Sequence, residues 1–208
     1  MFLKIKGYSW KRCRLSLKKF RNQELFDKQK HEIKQLMTLH EDGYIDLYFG
    51  DESHFGLNLN VPYVWQHKDT PILLSSKRVQ RLSVFGLMTS GCELFYRMIE
   101  GVTNSADVIA ALDEFAHIIP KKTVVILDNA PVHRSKVFKK KIKEWEELDL
   151  YIYFLPPYSP ELNKVEILWR FIKYKWLPYD AFLNFKNLKE RLNKVLQEFG
   201  TKYVINFN

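Results

Sequence analysis

The sequence predicts an α/β fold, a mixed β-sheet flanked by helices, and three observations carry that prediction. YIDLYFGDESHF, from residue 44, alternates apolar or aromatic with polar residues as a strand does. The runs VVIL at 124–127 and YIYFL at 151–155 are short and continuously apolar, the pattern of strands buried on both faces. Segments such as SADVIAALDEFAHII and FKNLKERLNKVLQEF space their apolar residues for helices. The length of 208 residues suits one domain with a short extra arm, and 46% hydrophobic residues suffice for a sizeable core.

Residues 1–42 read as a basic arm, the remnant or tail of an N-terminal DNA-binding region. It is dense in Lys11, Arg12, Arg14, Lys18, Lys19 and Arg21, then turns helical, with Phe26, Ile33, Leu36 and Met37 at helical spacing. Gly43 reads as the helix stop, which sets a boundary at 42–43 between the arm and a body of residues 43–208. The arm has too few apolar residues for a core of its own. In the body, the first strand is expected to end near Asp51. RLSVFGLMTS at 81–90 and CELFYRMIEG at 92–101 read as a hairpin around Gly91, and Ser105 as the cap of a helix over 105–119. VVIL and YIYFL give two more strands, separated by the basic amphipathic helix of SKVFKKKIKEWEEL. Helices in LNKVEILWRFIKYKW and FKNLKERLNKVLQEF close the chain. The order β-β-β-α-β-α-β-α-α is that of ribonuclease-H-like nucleases.

Lys and Arg number 33 against 24 Asp and Glu, a net charge of +9. Such an excess points to a polyanionic partner, nucleic acid above all. Apolar runs fall far short of the ~20 residues that span a bilayer. The start, MFLKIKGYSWKRCR, has no cleavable signal, so membrane and secretory classes are set aside. Two cysteines, Cys13 and Cys92, make neither a disulfide framework nor a zinc cage, and the six histidines have no HxxxH or HxH spacing. The expected compartment is the reducing cytoplasm, at the nucleoid.

Three acids stand out by position. Asp51 closes the expected first strand, Asp128 follows directly on VVIL, and Glu166 lies within the helix after the PPYSP turn. Strand ends in such a sheet converge on one crevice, and a helix crossing it delivers Glu166 to the same place. Three carboxylates around one point repel one another unless cations compensate. Oxygen-only ligands suit Mg²⁺ or Mn²⁺, and a pair of such ions activates an attacking oxygen while stabilising the leaving one in phosphoryl displacement.

The strings holding these acids carry a family likeness. GDESHF, ILDNAPVHRS and PPYSPELNKVEILWR resemble the three catalytic blocks of mariner-type bacterial insertion-sequence transposases, in the superfamily with an Asp-Asp-Glu triad. Asp51 matches the first block and Asp128 to His133 the D-N-A-P-x-H block. Ser159 to Glu166 with Trp169 matches the block S-P-x-L-N-P-I-E-x-x-W, with Lys164 and Val165 in place of Pro and Ile. The likeness runs from about residue 44 to 176, and 38 positions separate Asp128 from Glu166. It implies that Asp51, Asp128 and Glu166 are the catalytic acids and metal ligands, holding two Mg²⁺ or Mn²⁺ ions. It also implies cleavage and strand transfer on double-stranded DNA, transposon ends and target alike, by a homodimer or higher oligomer. Family proteins begin with a helix-turn-helix, of which residues 1–42 keep at most a tail. A companion chain or a longer product is expected to supply it.

Residues near the triad admit plainer readings. Glu52 and Glu161 are expected to face solvent, Asn129 to shape the turn after its strand, and Asn163 to start the helix. Trp169 reads as core. Asn129 and His133 are candidate phosphate contacts, as are Lys139, Lys140 and Lys143 on the basic helix, with turn packing and a solvated face as the alternatives. Two rival functions stay open: another ribonuclease-H-like nuclease, which would not join strands, and an inactive or repurposed fragment that only binds DNA.

Overall fold

The computed structural model describes residues 18–57 and 80–207; Lys11, Arg12, Cys13 and Arg14 lie outside the described residues. Helix α1 (Gln23–Glu41) leads into strands β1 (Asp46–Gly56), β2 (Arg81–Met88) and β3 (Leu94–Glu100). Then come α2 (Ser105–Ala116), β4 (Thr123–Leu127), α3 (Lys136–Glu147), β5 (Leu150–Phe154), α4 (Val165–Phe171) and α5 (Phe185–Gln197). The sheet order is β3-β2-β1-β4-β5, antiparallel on the β2–β3 side and parallel from β1 to β5. The expected mixed sheet is therefore the one found, with β1 at its centre.

Two apolar layers hold it. On one face Leu47, Phe49 and Phe55 of β1 pack with Ile33 of α1, Val165, Leu168 and Trp169 of α4, and Leu188, Leu192 and Leu196 of α5. On the other, Phe85, Leu87, Val125 and Leu127 pack with Leu112 and Phe115 of α2 and Phe138 and Trp145 of α3. Alternation of side chains along a strand assigns these faces: the odd positions of β1 look toward α4 and the even ones toward α2 and α3. Helix α1, in the second half of the expected arm, packs on the sheet: Ile33 belongs to the first of these cores. Gln29 also donates to the Phe154 carbonyl at 3.0 Å and Tyr153 to Glu32 at 2.5 Å.

Several boundaries differ from the sequence reading. β1 does not stop at Asp51 but runs on to Gly56, because the pairing with β2 continues through Phe55–Leu82 and Ser53 and Phe55 are buried. The charged pair Asp51-Glu52 thus sits inside a strand. Helix α2 is capped by Asn104 rather than Ser105: its side chain accepts from the Ala106 and Asp107 amides, and Asp107 accepts from the Asn104 amide in return. The helix expected across LNKVEILWRFIKYKW is broken up. Residues Pro160–Leu162 form a 3₁₀ turn, α4 takes seven residues, and Ile172–Trp176 is a π-helical turn.

Candidate active site

The register of the two central parallel strands brings the first two acids together. The β1–β4 ladder reaches Phe49–Ile126. Two residues further along each strand in that register stand Asp51 and Asp128. Glu166 arrives from the first turn of α4, which packs on β1. Asn163 fixes that approach by donating its buried amide to the Gly50 carbonyl at 2.9 Å, one residue before Asp51. All three acids line one cleft of about 860 Å³, together with Lys18, Arg134 and Tyr158.

Asp51 and Asp128 are held by different neighbours. Trp169, one turn beyond Glu166, is buried, and its indole N–H donates to Asp51 Oδ2 at 3.1 Å. Room for that ring comes from Gly86, the β2 partner of Asp51, where a Cβ would stand 2.7 Å from the indole. Asp128 Oδ1 accepts from the Ala130 amide at 2.9 Å and from His133 Nδ1 at 3.0 Å. Burial pushes Asp51 well above the ordinary aspartate value, and the charges of Glu166, Glu52 and Asp128 add to it. Glu166 is raised too, chiefly by burial, with Asp128 adding and Lys173 opposing. Asp128 goes the other way: burial raises it, but the His133 and Ala130 hydrogen bonds outweigh that and the net shift is downward.

His133 is fully buried, which removes it as a direct phosphate contact. Its Nδ1 faces two acceptors, Asp128 Oδ1 and the Asp128 carbonyl at 3.1 Å, and so carries a proton. Nε2 lies 3.4 Å from Glu52 Oε1. Glu52 is consequently not the solvent-facing acid the sequence suggested. As the even neighbour of Asp51 it points through the opposite face of the sheet, onto the turn that holds His133. Burial disfavours the imidazolium, but Asp128 and Glu52 outweigh it and push His133 up to about 10. The raised value sets the sign of a stability effect. The charge contributes fully below the unfolded value of 6.5, fades as pH rises, and is gone above about 10. The gap in unfolding free energy between wild type and His133→Gln should therefore be widest below pH 6.5 and shrink steadily toward pH 10. A gap that stays constant across a urea series at these pH values would disprove the charged bridge.

Other side chains settle differently. Asn129 donates to the Leu155 carbonyl, tying the ends of β4 and β5. Glu161 lies in the same cleft as Glu166, yet its carboxylate is engaged by Lys18 at 3.0 Å and Arg21 at 2.5 Å. Lys139, Lys140 and Lys143 are exposed on α3, none of them lining the cleft. Sequence reasoning missed Lys173, on the π-helical turn. Burial lowers its ammonium below the ordinary lysine value, while Glu166 and Asp51 pull it back up. Its distance of seven positions from Glu166, about two helical turns, is the signal that would have put it on the same face.

The oxygen-only donor set, crowded with like charge, fits a hard divalent cation. Among the described residues, no group of three His, Cys, Asp or Glu side chains is drawn together closely enough to hold an ion. Asp51 is turned to Trp169 and Asp128 to His133.

A family model described as DDE superfamily endonuclease matches residues 46–189. An uncharacterized protein, y4pE/y4sA of Sinorhizobium fredii (strain NBRC 101917 / NGR234), is 34% identical over 83 residues, 40% of this chain and 53% of that protein. Among solved structures, a Mos1 transposase paired-end complex with left transposon end is similar at a TM-score of 0.57 and 15% identity, over 94% of this chain and 61% of that one. The Mos1 mariner paired end complex with Mn matches at 0.52 and 14%, over 97% and 66%. The catalytic domain of Mos1 mariner transposase matches at 0.52 and 16%, over 90% and 85%. The chain spans about half the length of the curated relative and under two thirds of the first transposase chain. These likenesses agree with the ribonuclease-H-like fold expected from the element order. With the family model covering the sheet, all three acids and most of the chain, this protein belongs to the DDE superfamily endonucleases.

Proposed function

We propose that the chain is the catalytic part of a DNA transposase, which cuts a transposon strand to leave a 3′-hydroxyl and then joins that end to target DNA. The observation that carries this reading is the delivery of Asp51, Asp128 and Glu166 from three elements into one cleft. In this reading the three acids hold Mg²⁺ or Mn²⁺, which supply nucleophile activation and leaving-group stabilisation when bound. A Mn-containing complex of the Mos1 relative supports that choice of ion. Trp169 orients Asp51, and His133 orients Asp128. Lys173, beside Glu166 and Asp51, is positioned for a phosphate oxygen, and Lys18 and Arg134 for the flanking backbone. Lys139, Lys140 and Lys143 extend the basic surface over α3.

The paired-end complex of the relative supports transposon-end DNA as the partner, and in this reading the working form is a homodimer or higher oligomer on DNA. Residues 1–42 act as a basic DNA-binding arm alongside a companion chain that carries a helix-turn-helix, and the protein works at the cytoplasmic nucleoid. The test is an oligonucleotide assay with the element's own ends, scoring both cutting and joining. Mg²⁺ and Mn²⁺ should support both steps, Ca²⁺ should bind without efficient chemistry, and EDTA should stop them. Cutting that survives EDTA would sink the reading. Cutting without joining would favour a simple nuclease of the same fold.

A further inference from the structure

The cleft has an aromatic lip that the acids do not use. Tyr158, in Leu155-Pro156-Pro157-Tyr158-Ser159-Pro160, lines the cleft with its backbone at φ +60°, the left-handed region disfavoured for any residue with a bulky side chain. Neither it nor its neighbour is spent on burial. Tyr158 is 48% exposed and Phe20 61%, with ring centroids 6.3 Å apart and planes tilted by 51°. Two ion pairs fix the lip. Lys18 and Arg21, flanking Phe20, both reach Glu161, three residues beyond Tyr158. Cations surround the rings: Lys19 Nζ lies 4.9 Å from the Phe20 centroid, and Lys18 and Arg134 line the cleft beside Tyr158.

Exposed rings, held out by a strained backbone among cations and beside phosphate-processing acids, suit one kind of ligand. Asp51 lines the same cleft from within a strand, its carboxylate bonded by the Trp169 indole. Where a nucleotide leaves the base stack to bring its phosphate to such acids, an exposed aromatic face beside them repays the unstacking. We propose that Tyr158 and Phe20 form a stacking subsite for an unpaired nucleobase next to the phosphate presented to the acids. The proposal rests on the cleft being a DNA site and deepens that reading.

The probe is a duplex carrying a single bulged 2-aminopurine, compared with the fully paired duplex of the same length, in EDTA so that no strand is cut. Wild-type chain should bind the bulged duplex about tenfold more tightly, the scale of one base–aromatic stack, and quench its fluorescence. Tyr158→Phe and Tyr158→Trp should keep both signals. Tyr158→Gly should lose both while unfolding no earlier than wild type, because glycine takes this backbone conformation freely. Phe20→Ala should reduce the preference. Equal affinity for the two duplexes, or a preference retained by Tyr158→Gly, would overturn the subsite. Asp128→Asn should keep the preference, which separates the two ideas. Cutting without bulge preference removes the subsite alone, and bulge preference without metal-dependent cutting removes the nuclease reading alone.

Discussion

Asp128→Asn should abolish DNA cleavage while leaving the fold in place. The residue follows β4 directly, level in register with Asp51, and its Oδ1 accepts from the Ala130 amide and from His133. An asparagine oxygen accepts both bonds from the same position. What it lacks is the charge that a divalent ion requires from a main ligand. Losing that ligand removes several kcal/mol of transition-state stabilisation, on the order of a thousandfold or more in rate. The folded chain loses only the charge assistance in the His133 bond, about 1 kcal/mol, or roughly 2–4 °C in Tm for a domain of this size. Melting and single-turnover cutting, measured on the same preparation, separate the two effects. Substantial Mg²⁺-dependent cutting by the variant would take Asp128 out of the site.

How much of this site was legible beforehand depends on whether the signal was local. Asp128 was legible because a buried parallel strand has to be apolar on both faces, so the first acid after VVIL marks its end. Glu166 was legible only through the string around it, since a lone glutamate in a helix looks like any solvated residue. Glu52 was misread for lack of a local cue. Its neighbour His133 is 81 positions away in the chain, and only the parity of β1 and the turn after β4 bring them together. Trp169 was read as core, and it is buried, yet its N–H on Asp51 depends on the crossing of α4 over β1. The same holds for Asn163 and the Gly50 carbonyl. The end of β1 was misplaced because two adjacent acids look like a stop, whereas Ser53 and Phe55 beyond them continue the buried face. The element order needed none of these contacts, and it came through intact.

Glu166 and Glu161 provide the other large effect, as a contrast within one motif and one cleft. Glu161 sits in the 3₁₀ turn before α4 and Glu166 in the first turn of α4 itself. The difference between them is electrostatic. Glu166 is raised by burial, with Asp128 adding to it, and Lys173 offsets this only in part. Burial also raises Glu161, but its hydrogen bonds, among them those from Lys18 and Arg21, hold its net value below that of an ordinary glutamate. An acid already neutralised by two protein cations has little to offer a metal, whereas one in a crowded anionic cleft has much to gain from it. Glu166→Gln should therefore lose on the order of a thousandfold in cutting rate, with little change in stability. Glu161→Gln keeps an oxygen for Arg21 and should cost about 1 kcal/mol or less, the range of a partly exposed ion pair. It should retain most of its activity, and raising the Mg²⁺ concentration should leave that activity unchanged. Rates measured across a Mg²⁺ titration for both variants decide the matter. Inactive Glu161→Gln beside active Glu166→Gln would move the third acid from α4 to the turn before it.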